Sequence, residues 1–259
     1  MAADSWNPQQ YDKYKEERQQ PFYDLMNLLV PHEGAQIVDL GCGTGELTAQ
    51  LHTKMKAKST LGIDSSTEML GKAIGRVEGG LGFKKDNIEN WSSPPAFDIV
   101  FSNAALQWCS DHPQIFFKMK NALKPRGQLA VQMPMNHDYA THTLATQMSR
   151  EEPWLSLLKG EVYAKHKIML APEEYAALMF QLGFETQKVF LRVYNHLLVS
   201  REDVIEWVKG TMLTHFKSRL GSSDYQNFMK EYSRRLFEIL PDQKPFFYPF
   251  KRILIWGRL

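Results

Sequence analysis

The chain passes from a short apolar run into a helical pattern within Val38-Asp39-Leu40-Gly41-Cys42-Gly43-Thr44-Gly45-Glu46. Three glycines stand at alternate positions between the two predicted elements. Glycine is needed where a backbone turns sharply and where a ligand must approach it closely. An ordinary tight turn from strand to helix needs the same residue, so the loop alone is compatible with a structural role and with a binding role.

Short apolar runs alternate with helical patterns around and beyond this loop. Such alternation is typical of repeated βαβ units and therefore predicts an α/β fold with a parallel sheet. The predicted strands are Gln36–Leu40, Thr60–Asp64, Gly82–Lys85, Phe97–Ser102 and Gln128–Met133, and the predicted helices between them are Glu46–Met55, Thr67–Val77 and His112–Leu123.

The remaining segments are less regular and predict additions to this core. They comprise an N-terminal helix at Tyr11–Val30, helices at Pro172–Leu182, Arg201–Phe216 and Asp224–Leu240, and strands at Val189–Tyr194 and Arg252–Trp256. No repeat or low-complexity linker interrupts the chain, so we expect a single domain over residues 1–259. Its parts would be an N-terminal helix within 1–30, a ligand-binding core at 36–133 and helical cap insertions at 137–170 and 195–248.

The composition excludes several classes of protein. The chain has 259 residues, of which 43% are hydrophobic, and 31 basic residues nearly balance 29 acidic ones, which is not the charge pattern of a nucleic-acid-binding protein. The two cysteines are far apart and no His-Glu-x-x-His pattern occurs, so we expect neither a disulfide framework nor a metal ion. Without a visible signal or membrane-spanning run, we expect a cytoplasmic protein that does not bind membranes.

The charges around the glycine loop indicate which ligand it takes. Asp64 ends the second predicted strand, about twenty residues after the glycine loop. A carboxylate at this place can accept hydrogen bonds from the two hydroxyls of a ribose. The spacing is G-x-G-x-G rather than the G-x-G-x-x-G of dinucleotide sites. Asp39 and Glu46 would repel a pyrophosphate, whereas an acidic rim suits S-adenosylmethionine, which has a cationic sulfonium and an amino-acid tail but no phosphate.

The order of motifs resembles that of class I S-adenosylmethionine-dependent methyltransferases, because Asp64, Asp86 and Asn103 follow the loop at the ends of successive strands. The resemblance implies a Rossmann-like, seven-stranded, mostly parallel sheet whose last strand is reversed, and S-adenosyl-L-homocysteine as product. It also implies cofactor contacts, in which Asp39 and the glycines approach the methionine tail, Asp64 the ribose and Asp86 the adenine. The full cofactor set is Asp39, Gly41, Cys42, Gly43, Gly45, Asp64, Ser65, Met69, Asp86, Asn87, Ile88, Asn103 and Ala104, with Tyr11 and Arg18 from the N-terminal helix.

A narrower resemblance points to the trans-aconitate 2-methyltransferase family. It rests on Trp6-Asn7-Pro8, on Leu106-Gln107-Trp108 and on Ala130-Val131-Gln132-Met133-Pro134, and it continues through Trp207-Val208. The Leu-Gln-Trp triplet also occurs in carboxyl methyltransferases that act on malonyl carrier protein, and it resembles the juvenile-hormone-acid group. These acceptors remain alternatives to trans-aconitate.

The residues after the fourth predicted strand favour a carboxylate acceptor. Ser102-Asn103-Ala104-Ala105 is not the Asn/Asp-Pro-Pro-aromatic cluster of enzymes that methylate nucleic-acid amines, and no Pro-Cys nucleophile occurs there. A carboxylate is already ionised at neutral pH, so we expect no catalytic base, only alignment and exclusion of water. The predicted acceptor-binding residues are Gln107, Trp108, Asn136, His137 and Arg252, with Arg192, His196, Lys209 and Lys251 as alternative cations.

A second function class is a protein that binds S-adenosylmethionine without transferring its methyl group and acts through its cap as a partner-binding module. The complete set of predicted cofactor ligands favours the enzyme, because a degenerate protein has no need to keep all of them. The sequence leaves the oligomeric state open.

Overall fold

The computed structural model describes residues 15–164 and 168–259, with side chains from residue 19 onward. Its centre is a seven-stranded sheet with the strand order β3-β2-β1-β4-β5-β7-β6. The strands are β1 (Gln36–Leu40), β2 (Ser59–Asp64), β3 (Leu81–Lys85), β4 (Phe97–Asn103), β5 (Leu123–Pro134), β6 (Thr186–Leu198) and β7 (Phe246–Arg258). The helices are α1 (Lys15–Met26), α2 (Glu46–Lys54), α3 (Thr67–Ala73), α4 (His112–Asn121), α5 (Ala140–Met148), α6 (Trp154–Leu157), α7 (Pro172–Gln181), α8 (Glu202–Lys209), α9 (Thr214–Lys217) and α10 (Ser222–Ile239).

The pairing of the strands confirms the predicted fold class. β1 lies parallel to β2 and β4, β2 pairs in parallel with β3, and β4 pairs in parallel with β5. β7 runs antiparallel to β5, so the last strand of the chain is the reversed one. Because five parallel strands end at the same edge, the residues that follow them are brought together there.

The central strands are apolar because helices cover them. Ile37 and Phe101 are buried in one cluster with Phe22 and Leu25 of α1 and with Trp256 of β7. The rings of Phe22 and Phe101 meet edge to face at 5.5 Å between centroids. Burying a side chain of this size contributes about 1.5–3 kcal/mol, so α1 is held on the sheet by its apolar face.

Three predicted strands are longer in the structure by six or more residues, and three others by one residue. β5 begins at Leu123 rather than Gln128, with a register irregularity opposite Phe97/Ile99, and the strands predicted at Val189–Tyr194 and Arg252–Trp256 extend to 13 residues each. The added ends of β5 and β6 carry polar or exposed residues, so a continuous apolar pattern does not mark them. The added start of β7 is aromatic, but Pro249 interrupts it.

Several predicted helices are shorter than the pattern suggested, and the N-terminal helix ends at Met26 rather than Val30. The pattern at Arg201–Phe216 divides into α8 and α9, because Gly210 caps α8. α3 ends at Ala73 and is followed by a 3₁₀ turn, Ile74–Arg76. The predicted start of the N-terminal helix at Tyr11 lies outside the described residues.

Two compact units make up the chain. The sheet unit contains Arg18–Pro134, Ile168–Arg192 and Arg252–Leu259, and the helical unit contains Met135–Lys167 and Val193–Lys251. The helical unit has its own aromatic core, in which the rings of Phe216 and Phe228 stack at 4.3 Å between centroids. The single domain expected over the whole chain stays a prediction. No helix within residues 15–164 or 168–259 is both long enough and apolar enough to cross a bilayer.

Candidate functional site

The glycine loop follows β1 and enters α2 with its three glycines in the left-handed region. Their φ angles are +84° at Gly41, +56° at Gly43 and +71° at Gly45, values that other residues rarely adopt. The N–H groups of Gly41 and Cys42 both donate to the carbonyl of Ile63, at 2.7 and 3.0 Å. The loop is therefore fixed against the end of β2.

The three glycines serve different purposes. A Cβ atom on Gly41 would lie 2.1 Å from Ala105 Cβ, and one on Gly45 would lie 2.5 Å from the ring of Phe83. A Cβ atom on Gly43 would meet nothing within 4 Å. Gly41 and Gly45 therefore allow close packing within the protein, whereas Gly43 borders open space that a ligand can occupy.

Asp64 joins this loop to the end of β2. Its Oδ2 accepts the backbone N–H of Gly43 at 2.9 Å, and its Oδ1 accepts the backbone N–H of Ser66 at 2.8 Å. Ser66 in turn caps α3, because its Oγ accepts the N–H of Met69. Each carboxylate oxygen can accept about two hydrogen bonds, so both oxygens keep capacity for a ligand hydroxyl.

Asp39 is a buried acid in β1, directly before the loop. Thr48 Oγ1 donates to its Oδ2 at 2.6 Å, while Oδ1 has no hydrogen-bond partner among the described residues. Burial, and to a smaller extent the charge of Asp64, raises the pKa of Asp39 from the usual 3.8 to about 7, although the Thr48 hydrogen bond acts in the opposite direction. A cation brought to Oδ1 would stabilise the charged form.

Asp86 follows β3 and is linked to Asp64. Its backbone N–H donates to the Asp64 carbonyl at 3.1 Å. Lys84 Nζ donates to Asp86 Oδ2 at 3.1 Å and the N–H of Asn87 donates to Oδ1 at 2.9 Å, and both contacts hold the pKa of Asp86 below its usual value. Asp86 is therefore charged at neutral pH, and both Asp86 and Ile88 are half-buried.

The end of β4 carries polar atoms without partners. Asn103 Oδ1 and Gln107 Oε1 are buried and lack a hydrogen-bond partner among the described residues. Ala104 between them has a φ of +53°, and its carbonyl accepts Gln107 Nε2 at 2.6 Å. A non-glycine residue in this region is strained, which is common at binding sites.

Arg252 lies in β7 opposite Pro134 of β5, and only 5% of its surface is exposed. Its Nη1 is 3.5 Å from Oε1 of Gln132, whose own Nε2 has no partner among the described residues. Gln132 also pairs with Asn103 across β4 and β5. Gln132 was not among the predicted site residues, although an amide within the apolar run of β5 was the available signal.

Three of the alternative cations are ion-paired. Arg192 Nη1 lies 3.1 Å from Asp24, Lys251 Nζ lies 2.7 Å from Asp138, and Lys209 pairs with Glu206. His196 is buried against Trp207, with 4.7 Å between the ring centroids. Arg252 is a buried guanidinium beside the amide group of Gln132 on β5.

The other predicted site residues are placed as follows. Trp108 is 44% exposed on a 3₁₀ turn, while Met69 is half-buried and Ser65 and Asn87 are exposed. Asn136 is buried and His137 half-buried, and both belong to the helical unit. Arg18 lies in α1 but its side chain, like all of Tyr11, is outside the described residues.

Cys42 and Cys109 are both buried free thiols. Burial raises the pKa of Cys42 far above its usual value and that of Cys109 to about 12, so both are neutral at physiological pH. No group of three or more His, Cys, Asp and Glu side chains that could hold a metal occurs within the described ranges. The expected absence of a metal stays a prediction.

The chain resembles known proteins in both sequence and structure. A family model described as a methyltransferase domain matches residues 31–189. Trans-aconitate 2-methyltransferase from Deinococcus radiodurans is 40% identical over 253 residues, which cover 96% of each chain. The structure of the YcgJ protein from Bacillus subtilis has a TM-score of 0.62 at 17% identity and covers 93% of this chain and 98% of that one. Phosphoethanolamine N-methyltransferase 2 from Haemonchus contortus, solved with S-adenosyl-L-methionine, has a TM-score of 0.53 at 17% identity and covers 95% of this chain and 57% of that one.

Proposed function

The chain belongs to the trans-aconitate 2-methyltransferase family of methyltransferase-domain proteins, and on that premise we propose that it esterifies one carboxylate of a small organic acid, trans-aconitate above all. It is an S-adenosylmethionine-dependent methyltransferase. The finer assignments of acceptor and site residues are proposals, argued below from the contacts in the sheet unit.

The residues around the glycine loop fit this cofactor. Asp39 Oδ1 is a buried anionic atom without a partner among the described residues, which suits the ammonium group of the amino-acid tail. Gly43 borders open space, and Asp64 keeps acceptor capacity for two ribose hydroxyls. We keep Asp39, Gly43 and Asp64 as proposed cofactor ligands and assign Asp86 and Ile88 to the adenine. The other cofactor residues named from the sequence stay predictions.

When bound, S-adenosylmethionine supplies a methyl group on a cationic sulfur and leaves as S-adenosylhomocysteine. The protein's task is to hold the acceptor oxygen in line with that methyl group and to exclude water. Good alignment is worth roughly 7–11 kcal/mol in comparable intramolecular reactions. We assign no catalytic residue, because a carboxylate acceptor is already ionised and both described thiols are neutral.

The observation that carries the acceptor class is the buried guanidinium of Arg252 beside Gln132. Guanidinium and amide N–H groups are donors that match a carboxylate, and Gln132 Nε2 is a buried donor without a partner among the described residues. A substrate with several carboxylates can present one to these donors and a second to the methyl group. Gln107 and Trp108 of the same unit are the other residues of the proposed acceptor set. The acceptor roles of Asn136 and His137 stay predictions from the sequence.

A panel of acids with labelled S-adenosylmethionine tests the acceptor. The panel contains trans-aconitate, cis-aconitate, citrate, malonyl carrier protein and a long-chain fatty acid, with methyl esters detected by mass spectrometry. We expect trans-aconitate to be methylated with the highest kcat/KM. If the carrier protein or the fatty acid is preferred, trans-aconitate is the wrong acceptor. If the cofactor binds but no acid yields a methyl ester, the non-catalytic binding module is favoured.

A further inference from the structure

Thr48 lies on α2, and its buried hydroxyl group contacts the buried carboxylate of Asp39 in β1. It is 0% exposed, and its Oγ1 donates to Asp39 Oδ2 at 2.6 Å. A hydroxyl–carboxylate bond of this length is charge-assisted and strong. It fixes the orientation of the carboxylate and occupies one of its two oxygens.

The second carboxylate oxygen of Asp39, Oδ1, has no such hydrogen bond from the described residues. Asp39 is 4% exposed, and its Oδ1 is buried without a hydrogen-bond partner among the described residues. A buried anionic oxygen without a partner is costly. It is tolerated where a ligand supplies the missing contact, and the glycine loop begins two residues further along the chain.

We infer that Thr48 is a positioning residue for the cofactor, which holds Asp39 by Oδ2 and thereby reserves Oδ1 for the cationic ammonium group of the amino-acid tail. This inference rests on the proposed function, because it takes S-adenosylmethionine as the ligand. Thr48 itself does not touch the cofactor. Its effect should therefore depend on whether the ligand carries an ammonium group.

The charges around Asp39 link this contact to pH. From β2 the carboxylate of Asp64 disfavours the charged form of Asp39, and the buried Cys42 thiol in the loop stays protonated. Burial and Asp64 raise the pKa of Asp39 to about 7, and the Thr48 hydrogen bond lowers it. An ammonium group at Oδ1 favours the carboxylate, so binding below about pH 7 should release a proton.

Two ligands and two variants separate this role from a merely structural one. S-adenosylhomocysteine carries the amino-acid tail, whereas 5′-methylthioadenosine keeps the adenosine and thioether but lacks the ammonium group. Thr48→Val keeps the shape of the side chain and removes the donor, and Thr48→Ser keeps the donor. We expect Thr48→Val to lower the affinity for S-adenosylhomocysteine about tenfold and to change the affinity for methylthioadenosine by less than about twofold. Thr48→Ser should bind both ligands with wild-type affinity.

Calorimetry from about pH 6 to about pH 8 adds an independent readout. In wild type the affinity for S-adenosylhomocysteine should fall as the pH drops through about 7, and Thr48→Val should move that fall to higher pH. The affinity for methylthioadenosine should change little over the same range. Repeating the titration in buffers of different ionisation enthalpy measures the released proton.

Several outcomes would overturn the inference. If Thr48→Val lowers the affinity for both ligands equally, Thr48 is a structural residue. If the affinity for S-adenosylhomocysteine is unchanged, Thr48 does not position Asp39 for the cofactor. Thr48→Ala replaces Thr48→Val if the latter unfolds on heating well below wild type. A wild-type protein that binds neither ligand would instead overturn the cofactor assignment of the proposed function, and this inference with it.

Discussion

The backbone N–H of Gly43 donates to Asp64 Oδ2 at 2.9 Å, so the glycine loop and the acid at the end of β2 form one hydrogen-bonded unit. Gly43 is also the loop glycine whose missing side chain leaves open space. A ligand that fills this space and contacts Asp64 is therefore bound by two elements that already hold each other. This coupling affects how substitutions in either element should be interpreted.

Replacing Asp64 should weaken the cofactor through two effects. Asp64→Ala removes the proposed acceptor for the ribose hydroxyls and also releases the N–H groups of Gly43 and Ser66. We expect S-adenosylmethionine binding to weaken by about 1–3 kcal/mol or more, measured by calorimetry. Asp64→Asn keeps one oxygen acceptor and should lose less. A folded Asp64→Ala protein with wild-type affinity would show that Asp64 is not a ligand.

The loop glycines should divide into two classes when substituted. Gly43→Val places its side chain in open space and should reduce cofactor binding at least tenfold, with a stability loss of about 1–2 kcal/mol from its positive φ. Gly45→Val is the matched control, because it would collide with Phe83 and should lower the melting temperature much more. Retained binding in Gly43→Val would mean that the loop is only a turn.

Arg252 should bind a non-reacting carboxylate of the acceptor. Losing a charge-assisted contact costs about 1.5–3 kcal/mol, so Arg252→Ala should raise the KM for trans-aconitate at least tenfold while cofactor affinity stays nearly constant. Arg252→Lys should restore only part of the lost affinity for the acid, because an ammonium group cannot donate the two parallel hydrogen bonds of a guanidinium group.

Lys251 is the neighbouring control for Arg252, since its Nζ pairs with Asp138 at 2.7 Å. Lys251→Ala should change the KM for the acid by less than about threefold. Steady-state kinetics on the three variants decides the assignment. If the KM rises more in Lys251→Ala than in Arg252→Ala, Arg252 is not the residue that binds the carboxylate of the acceptor.

The charge of Asp39 should cost stability in the cofactor-free protein. Its pKa is about 7 in the folded chain against the usual 3.8, so between these values the folded state holds a proton that the unfolded state has lost. Stability from this group is therefore largest at low pH and falls as the pH rises towards 7. Asp39→Asn should raise the free energy of unfolding by about 1–3 kcal/mol at pH 8 and should change it much less near pH 4.

Urea unfolding of wild type and Asp39→Asn at the two pH values checks this sign. The same variant should bind S-adenosylmethionine more weakly, because Asn supplies no charge to Oδ1. A variant that is less stable than wild type at both pH values would show that the buried carboxylate is stabilising as it stands.

The rate with both substrates saturating should be nearly independent of pH above the pKa of the acceptor. The reason is that an ionised carboxylate needs no base and that the Cys109 thiol, with a pKa of about 12, stays neutral. We expect less than about a twofold change in kcat from pH 7 to pH 9. A steep rise in kcat that one histidine or cysteine substitution abolishes would indicate base catalysis on a hydroxyl or an amine.

Much of the fold was predictable because its information is local. The strand at Gln36–Leu40 has the same bounds in the sequence pattern and in the structure, since a strand buried on both faces is a continuous apolar run that the glycine loop ends. The added end of β6 was missed because buried and exposed residues alternate in it, and the added start of β7 was missed because Pro249 interrupts its aromatic run. The break between α8 and α9 was missed because one glycine outweighed a helical pattern on both sides of it.

The site was predictable where one residue carries the signal by itself. The glycines, Asp39 and Asp64 are identified by their spacing, because turn geometry and a following acid are properties of adjacent residues. Gln132 and Thr48 gave a weaker signal, since their importance comes from a partner far along the chain or on another element. Such partners are joined only when the strands pair and α2 packs on the sheet.

The sequence by itself therefore determined the α/β class, the glycine loop and the acidic rim that suits a cation, since each depends on local backbone sterics and charge. The tertiary structure decided which atoms are available there. It buried Arg252 beside Gln132, paired Arg192, Lys209 and Lys251 with acids, and left Asp39 Oδ1 without a partner among the described residues. Burial and pairing belong to neighbours in space, and the antiparallel pairing of β7 with β5 brings residues 120 positions apart into contact.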